Sequence, residues 1–322
     1  MGSDYSAEAD AVLRMKAPNS KLRSGAALVL ALWALFLLSA MVISWALDIN
    51  SRLVVSGNAS RVLDAEAMAS SGADLALHPL IKPYSANLHG QMGNGEGYDV
   101  QMTGECGRLN LKFLTLGEDP AKLEILRRYL TLKGIELNDL DMMMDSLLDW
   151  VSPGQGIHHL NACPETDDYR PPHAPLTSVD DLKKICGWAE FTSKPGWDQD
   201  FTVCDACSQG IDVAWASRDA LRALGIGDDY VDRFLQLRAG PDGVDGTADD
   251  VQFNDVRDAL TRGLGLNNQQ ISQIQNLIGY NFPVFRVVSE GKSGDVTRSV
   301  QMMVSKMGGA GGRPQIMSWK EL

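Results

Sequence analysis

The sequence predicts an α+β protein in which a long N-terminal helix packs on an antiparallel sheet, and a large helical insertion interrupts that sheet. Three observations support this fold class. An uncharged apolar run extends from Gly25 to Leu47, and helix-forming residues continue to position 77 without a proline. Alternating apolar and polar residues, typical of strands, occur at 98–102 and 283–304. Between them, 119–149 and 217–238 carry apolar residues at helical spacing.

The composition is that of a folded, acidic protein. The chain has 322 residues, of which 44% are hydrophobic and 22% charged, and these values exclude wholesale disorder and a fibrous protein. With 29 Lys and Arg against 41 Asp and Glu, the net charge is -12. An acidic surface repels phosphate backbones, so the composition also disfavours a general nucleic-acid-binding function.

The apolar run is predicted to span a membrane. A helix needs about 20 apolar residues to cross a hydrocarbon core of roughly 30 Å, and the run from Gly25 to Leu47 is long enough. A cleaved signal peptide is the alternative, since Ala40 and Ala46 are small residues in the right region, although a signal-peptide core is usually shorter.

The flanking charges predict the orientation of this helix. Basic residues precede the apolar run and lie closer to it than the acidic residues do, namely Arg14, Lys16, Lys21 and Arg23. Positive residues beside a membrane span stay in the cytoplasm, so the N-terminus is expected inside and the main domain outside. In a bacterium the outer side is the oxidising periplasm.

Small residues recur at spacings of three and four in the second half of the predicted helix, at Ala65, Ala69, Gly72, Ala73 and Ala76. Such a face allows a sheet or a second helix to approach closely. We therefore predict that this half of the helix, unlike the apolar half, packs on the folded domain.

Five cysteines leave three interpretations open. Four fall within 153–215, and Cys204 and Cys207 form a CxxC motif. Disulfides suit an oxidising compartment, structural zinc would use Cys and His ligands, and free thiols are the third possibility. Disulfides are favoured, because one CxxC has no second ligand pair at zinc-site spacing. We expect Cys163 to pair with Cys186 and Cys204 with Cys207, which leaves Cys106 as the odd residue.

A glycine- and aspartate-rich loop is the strongest chemical signal. The candidate ligands are Asp242, Asp245, Asp249 and Asp250, with no Lys or Arg inside the loop. Carboxylates this close repel one another unless a cation joins them, and oxygen ligands on a flexible loop favour Ca2+. The spacing is not that of an EF-hand. The sequence therefore predicts a structural calcium site, with a solvated acidic turn as the alternative.

Other motifs argue against catalysis and phosphate binding. Leu224-Gly225-Ile226-Gly227 resembles a helix-hairpin-helix turn, but Asp228 and Asp229 follow it directly and would repel phosphate. Neither G-x-S-x-G nor H-E-x-x-H occurs, and no His lies beside a nucleophile in the sequence. We expect a protein that is not an enzyme.

The junction before the apolar run resembles a prepilin-peptidase site. Arg23-Ser24-Gly25 is followed directly by Ala26, as in type IV pilins and type II secretion pseudopilins. The resemblance implies a leader at 1–25, cleavage after Gly25, and a mature protein that begins at a methylated Ala26. Most of that class carry Glu at the fifth mature position, whereas Leu30 stands there in this chain. A carboxylate in the bilayer is costly unless it is paired, and in a filament its partner is the α-amine of the subunit above. A subunit at the tip has no subunit above it, so an apolar residue suits that position.

Further motifs narrow the resemblance to the minor pseudopilin K family of the type II secretion system. They are Arg108-Leu109-Asn110-Leu111, Asp149-Trp150-Val151-Ser152, Phe285-Arg286-Val287 and Ser318-Trp319-Lys320-Glu321. The family implies a pilin-like fold with an inserted all-α, SAM-like domain that binds calcium. The corresponding divisions are a leader at 1–25, a transmembrane and α1 helix at 26–90, sheet at 91–114, insertion at 115–281 and sheet at 282–322.

The same resemblance implies the partners and the location. They are minor pseudopilins I and J, further pseudopilins, the prepilin peptidase and, by analogy, secreted substrates. The protein would lie in the inner membrane, with its main domain in the periplasm, and at the pseudopilus tip after assembly. The alternative is a membrane-anchored periplasmic calcium-binding protein or hydrolase unrelated to pilins.

Overall fold

The computed structural model describes residues 20–153, 159–306 and 314–322, without the side chains of 20–24 and 94. Most of the leader predicted at 1–25 therefore lies outside the described residues. The chain divides into two compact units, Met1–Ser60 and Arg61–Leu322. The predicted α+β class is confirmed by the long N-terminal helix, the antiparallel sheet and the helical insertion.

Helix α1 is continuous from Ser20 to Ala76. Its stretch from Gly25 is long and apolar enough to cross a membrane, with a mean hydropathy of 2.6 in its most apolar 18-residue window and no buried residue in that window. Every side chain from Gly25 to Ser60 is exposed.

The last turns of α1 pack on the sheet through small residues. Ala65, Ala69, Ala73 and Ala76 are completely buried, as the spacing predicts. The approach is close on both sides: a Cβ at Gly291 of the sheet would lie 2.0 Å from the Ala65 carbonyl oxygen. Small residues on both surfaces therefore let the helix backbone lie against the strands.

The sheet has five antiparallel strands in the order β1-β2-β7-β8-β9. Its strands are β1 (His89–Gln91), β2 (Glu96–Gly104), β7 (Val284–Ser293), β8 (Val296–Ser305) and β9 (Gln315–Glu321). Apolar residues of the inner face join the α1 alanines in one core, among them Val100, Met102, Val287, Val300 and Met302. The strand pattern at 283–304 is confirmed, and it forms a hairpin in which β7 pairs with β8 along ten residues.

The insertion leaves and re-enters the sheet at one place. Strands β2 and β7 are neighbours, and Gly104 at the end of β2 lies opposite Phe285 at the start of β7. The whole segment between Gly104 and Phe285 therefore occupies the position of a hairpin loop.

The insertion has its own core and is mainly helical. Its helices are α2 (Leu111–Thr115), α3 (Pro120–Leu132), α4 (Leu137–Val151), α5 (Ala189–Thr192), α6 (Arg218–Ala223), α7 (Asp228–Arg238), α8 (Val256–Asp258) and α9 (Asn268–Ile274). Its short strands are β3 (Leu109–Asn110), β4 (Phe201–Thr202), β5 (Ile211–Asp212) and β6 (Ile278–Gly279). The pairs β3–β4 and β5–β6 are parallel. Asp119 caps α3, and a capping box of Asn267 and Gln270 begins α9.

Two hairpins of the same design follow one another in the insertion. The first joins α6 to α7 through Gly225 at φ +86°, and the second joins α8 to α9 through Gly265 at φ +69°. Buried residues flank both turns, Leu224 in the first and Leu264 in the second. Both hairpins contain Arg-Asp-Ala-Leu, at 218–221 and 257–260. From that sequence the second hairpin has one more residue before its turn glycine, and its segment Ala259–Gly263 is π-helical.

Candidate functional site

The acidic loop lies between α7 and α8 and is closed at its base. The Val251 N–H donates to the carbonyl of Arg238 at 3.1 Å, so the two ends of the loop are hydrogen-bonded. Gly240, Gly243 and Gly246 have φ of +65°, +71° and +89°. At Gly240 a side chain is also excluded sterically, because a Cβ would lie 2.4 Å from the Asp249 carbonyl oxygen.

Three of the predicted ligands converge on the loop backbone. The Asp242 N–H donates to Asp249 Oδ2 at 3.0 Å, and the Gly246 N–H donates to Asp250 Oδ2 at 2.7 Å. The Thr247 hydroxyl donates to Asp249 Oδ1 at 2.7 Å and lies 3.3 Å from Asp250 Oδ1. The Thr247 hydroxyl, followed by the Asp242 N–H, lowers the pKa of Asp249. Asp249 and Asp250 therefore lie beside the Thr247 hydroxyl, while the Asp242 carboxylate accepts from the Val244 N–H at 2.8 Å.

The fourth predicted ligand, Asp245, is bound elsewhere. Its carboxylate pairs with the buried Arg238 guanidinium through two bonds, Nε–Oδ1 at 2.9 Å and Nη2–Oδ2 at 2.7 Å. Arg238 Nη1 donates to the carbonyls of Val213 and Ala216 at 3.2 and 2.8 Å. Arg238, which no sequence pattern marks as a site residue, therefore holds Asp245 against the segment before α6.

The four aspartates are the kind of ligand that a hard cation needs, but their side chains are only partly arranged to bind one. Carboxylate oxygens and loop carbonyls are the ligands that Ca2+ prefers. Across the described ranges 20–153, 159–306 and 314–322, however, no three His, Cys, Asp or Glu side chains are arranged to hold a metal ion. Asp249 and Asp250 lie beside Thr247, and Asp242 is linked to Asp249 through its N–H. Asp245 would have to leave Arg238 to join them.

Trp215 connects the acidic loop to the sheet. A Cβ at Gly246 would lie 3.7 Å from the Trp215 ring, and a Cβ at Gly104, where β2 ends, would lie 2.1 Å from it. The ring also packs edge-to-face on Phe285 of β7, with centroids 6.5 Å apart. The loop therefore lies next to the junction between insertion and sheet.

A buried ion pair strengthens the same junction. Glu105 is completely buried directly after β2, and its carboxylate pairs with Arg286 of β7 through Nε and Nη2 at 2.7 and 2.8 Å. The hydroxyl of Thr202 in β4 donates to the same carboxylate at 2.5 Å. Burial and the neighbouring Arg286 lower the pKa of Arg108, which lies 3.6 Å from Glu105. Sequence patterns do not point to Glu105, because a single acidic residue in a loop carries no spacing signal.

The structure contains two disulfides. Cys163 bonds to Cys186, the pair expected from the sequence, and Cys106 bonds to Cys207. The expected pairing of Cys204 with Cys207 is therefore wrong, and Cys204 is the free, buried cysteine instead of Cys106. The reason is tertiary: the turn at 105–107 after β2 packs against the CxxC turn, although the two bonded cysteines are 101 positions apart.

The residues of the predicted cleavage site lie on the exposed surface of α1. Gly25 and Ala26 lie within α1 and are exposed, and Leu30 has 70% of its surface exposed.

In the first hairpin, the arginines nearest the turn are paired with acids: Arg222 with Asp228 and Arg218 with Asp232. Both arginines are therefore ion-paired at the turn where a phosphate-binding helix-hairpin-helix would contact its ligand.

No protein-family profile matches this chain, and no curated protein sequence matches it. Among solved structures, the chain resembles a component of the GspK-GspI-GspJ complex from the type 2 secretion system of enterotoxigenic Escherichia coli. The TM-score is 0.59 at 12% identity, and the match covers 85% of this chain and 99% of the other.

The long helix, the antiparallel sheet and the helical insertion between β2 and β7 together define a pseudopilin-like fold. More particularly, the match over nearly the whole length of the solved chain gives this protein a GspK-like minor pseudopilin fold, as the sequence resemblance predicts.

Proposed function

We propose that this protein is the tip minor pseudopilin of a type II secretion system, which initiates pseudopilus assembly and so supports export of folded proteins across the outer membrane. The observation that carries the proposal is the match to 99% of a solved chain from the GspK-GspI-GspJ complex. The role is structural and involves no catalysis. Partners that correspond to GspI and GspJ, other pseudopilins and secreted substrates follow from the same proposal.

The exposed half of α1 supports a membrane and filament role. An apolar helix whose side chains are all exposed from Gly25 to Ser60 requires a lipid or protein environment. The basic residues ahead of it favour a cytoplasmic N-terminus and a periplasmic main domain. The apolar Leu30 suits a subunit with nothing above it, because a carboxylate there would have no amine to pair with.

Processing at Gly25 is the first test. The intact mass of membrane-extracted protein is compared with and without a co-expressed prepilin peptidase. We expect loss of residues 1–25 only when the peptidase is present, with a methylated Ala26. Gly25→Leu should prevent the cut, whereas Gly57→Leu, at a second exposed glycine of α1 with open space around it, should not. A chain that stays uncut, or is cut beyond Ala40, contradicts the proposal and favours the anchored periplasmic protein.

Partner binding is the second test. The processed protein is co-expressed with the I-type and J-type minor pseudopilins of the same bacterium and purified through a tag on one of them. We expect a stable complex of the three, with α1 present. Recovery of this chain alone, from a preparation in which the other two still bind each other, would contradict the tip assignment.

We also propose that the acidic loop binds Ca2+ through Asp242, Asp249 and Asp250, with Asp245 as a fourth ligand when it leaves Arg238. The positive-φ glycines and the carboxylates of Asp249 and Asp250 beside Thr247 support this site. Calcium when bound would neutralise the loop, and the chain's own residues would then fix the loop beside Trp215.

Thermal unfolding with CaCl2 and then EGTA tests the calcium site. Binding to the folded state alone stabilises it by about 2.7 kcal/mol at a hundredfold excess over Kd. We expect this gain in the wild-type chain and its loss in Asp249→Asn. Asp167→Asn is the matched control, because it removes one charge from a side chain that is 98% exposed. Equal gains in both variants would place the calcium elsewhere.

A further inference from the structure

The cysteine left unpaired lies beside a disulfide. Cys204, Cys106 and Cys207 pack in one small buried cluster, together with Val284 at the start of β7. The Cys204 thiol and the Cys106–Cys207 bond are thus enclosed in the same apolar space. Thiol–disulfide exchange requires a thiol that can reach a disulfide sulfur, and the shared cluster places Cys204 beside this disulfide.

The CxxC turn brings the backbones of Cys204 and Cys207 close to each other. The Cys207 N–H donates to the Cys204 carbonyl at 3.2 Å, so the four residues form a closed turn. The end Cα atoms of such a turn lie within about 7 Å, and disulfides need about 4.4–6.8 Å. Asn110 Nδ2 donates to the carbonyls of both Cys204 and Cys207, at 2.7 and 3.1 Å. The turn is therefore held by contacts that do not depend on which sulfur Cys207 is bonded to.

We propose that Cys204 exchanges with the Cys106–Cys207 disulfide, so that the chain has two disulfide isomers. The Cys204 thiolate attacks Cys207 Sγ, a Cys204–Cys207 bond forms, and the Cys106–Cys207 bond breaks. The electron pair of the broken bond leaves on Cys106 Sγ, which takes up the proton that Cys204 released. One thiol and one disulfide are present before and after, so no oxidant or reductant is consumed.

The two isomers differ in what they crosslink. The Cys106–Cys207 bond ties the turn after β2 to the insertion, across 101 positions of sequence. The Cys204–Cys207 bond would lie inside one turn of the insertion and crosslink nothing else. The exchange would thus remove or restore a covalent link at the junction that also contains Glu105 and Arg286. This inference does not depend on the proposed secretion function.

Strand β9 covers the attacking thiol. Cys204 Sγ lies 3.9 Å from Met317 Sδ, and Met317 belongs to this edge strand, whose residues are all exposed. Burial raises the pKa of the Cys204 thiol, and the nearby Glu105 and Asp205 raise it further, while the N–H groups of Ala206 and Cys207 oppose them. The reactive thiolate is therefore scarce at neutral pH while β9 is in place.

Trapping the free thiol by alkylation tests the exchange. The full-length, detergent-extracted protein is incubated at pH 7, 8 and 9, quenched in acid, unfolded and alkylated, and its peptides are mapped without reduction. We expect the label on Cys204 at first and on Cys106 after incubation at higher pH. The rate should rise about tenfold per pH unit, since it follows the thiolate fraction below the thiol pKa.

Three variants sharpen the test. Cys204→Ser should leave the Cys106–Cys207 bond unchanged at every pH, with no labelled thiol. Met317→Ala should speed the movement of the label, because it uncovers the sulfur. Cys106→Ser, exported to the oxidising periplasm, should contain the Cys204–Cys207 disulfide. If that last variant does not fold, the wild-type labelling and the other two variants still decide the matter.

Four results would overturn the inference. They are a label that remains on Cys204 at pH 9, a label that moves to Cys207, a label on Cys163 or Cys186, and two free thiols in folded Cys106→Ser. The second would show attack on the other sulfur. The third would show general disulfide scrambling instead of exchange within this cluster.

Discussion

The two parts of α1 share one secondary structure and have opposite surroundings. From Gly25 to Ser60 every side chain is exposed, and most are large and apolar near the start. From Ala65 to Ala76 the buried face consists of alanine and glycine packed on strands. Neither part contains proline, and the helix continues through Ser56-Gly57-Asn58 without a break. The difference shows that side-chain size determines what each part can contact: small residues fit a sheet, and large apolar ones require an environment outside the folded domain.

The largest expected effect is at the closest approach of helix and sheet. In Gly291→Val the new Cβ would meet the Ala65 carbonyl oxygen and, at 2.3 Å, the Ala69 nitrogen, and these backbone atoms cannot move aside independently. We expect the free energy of unfolding to fall by about 3 kcal/mol, measured by denaturant unfolding. The control is Gly93→Val, where no atom lies within 4 Å of the new Cβ. Equal losses in both variants would mean that the packed part of α1 is not the constraint.

A smaller loss is expected on the helix side of the same contact. In Gly72→Val the Cβ meets side chains, Ser289 Oγ at 2.5 Å and Val100 Cγ2 at 2.8 Å, which can partly adjust. The predicted cost is about 2 kcal/mol in the same measurement. Gly57→Val, in the exposed part of α1, should cost clearly less because nothing lies within 4 Å of it. A larger loss of unfolding free energy in Gly57→Val than in Gly72→Val would contradict the distinction between the two parts of α1.

The pH dependence of stability should report on the end of the packed part. Lys306 Nζ donates to the carbonyls of His78 and Ile81, just after α1, and burial lowers its pKa to about 8. Between pH 8 and 10.5 the unfolded chain therefore binds more protons at this site than the folded one, so stability rises with pH. Relative to Lys306→Met, the wild-type Tm should increase between pH 7.5 and 9.5. A constant difference would show that the lysine is not desolvated.

The smallest effect is expected in the exposed part of α1. Gly57→Ala removes a flexible residue from a helix without touching any other atom. Helix propensity favours alanine by about 0.5–1 kcal/mol, so circular dichroism should show equal or slightly higher helicity. A loss of helicity would indicate that Gly57 has a packing role, and the exposed part of α1 would then resemble the packed one.

Sequence patterns predicted the elements whose signal is local. The apolar run, the small-residue face at Ala65 and Ala69, the helices α3 and α4, and the β7–β8 hairpin follow from periodicity and turn residues. The Asn267 cap of α9 is a signal of the same local kind, since a cap and the helix it starts are adjacent in sequence.

The sequence predictions that were wrong or missing concern residues whose partners are not marked by a local pattern. Cys207 bonds to Cys106 and not to its neighbour in the CxxC, because the fold brings a turn 101 positions away into contact. Asp245 was grouped with the other loop carboxylates, but Arg238 holds it, and the paired geometry of a buried guanidinium has no spacing signature. Glu105 and Arg286 are 181 positions apart, so their pairing could not be read locally.

The position of the insertion has a consequence for how the chain folds. Gly104 and Phe285 face each other across two hydrogen-bonded strands, yet the whole insertion must be traversed between them. Closing a flexible loop costs entropy that grows with its length, and the cost is paid before the strand pairing rewards it. A folded insertion whose ends already lie side by side removes most of that cost. We therefore expect β2 to pair with β7 late in folding, after the insertion has folded.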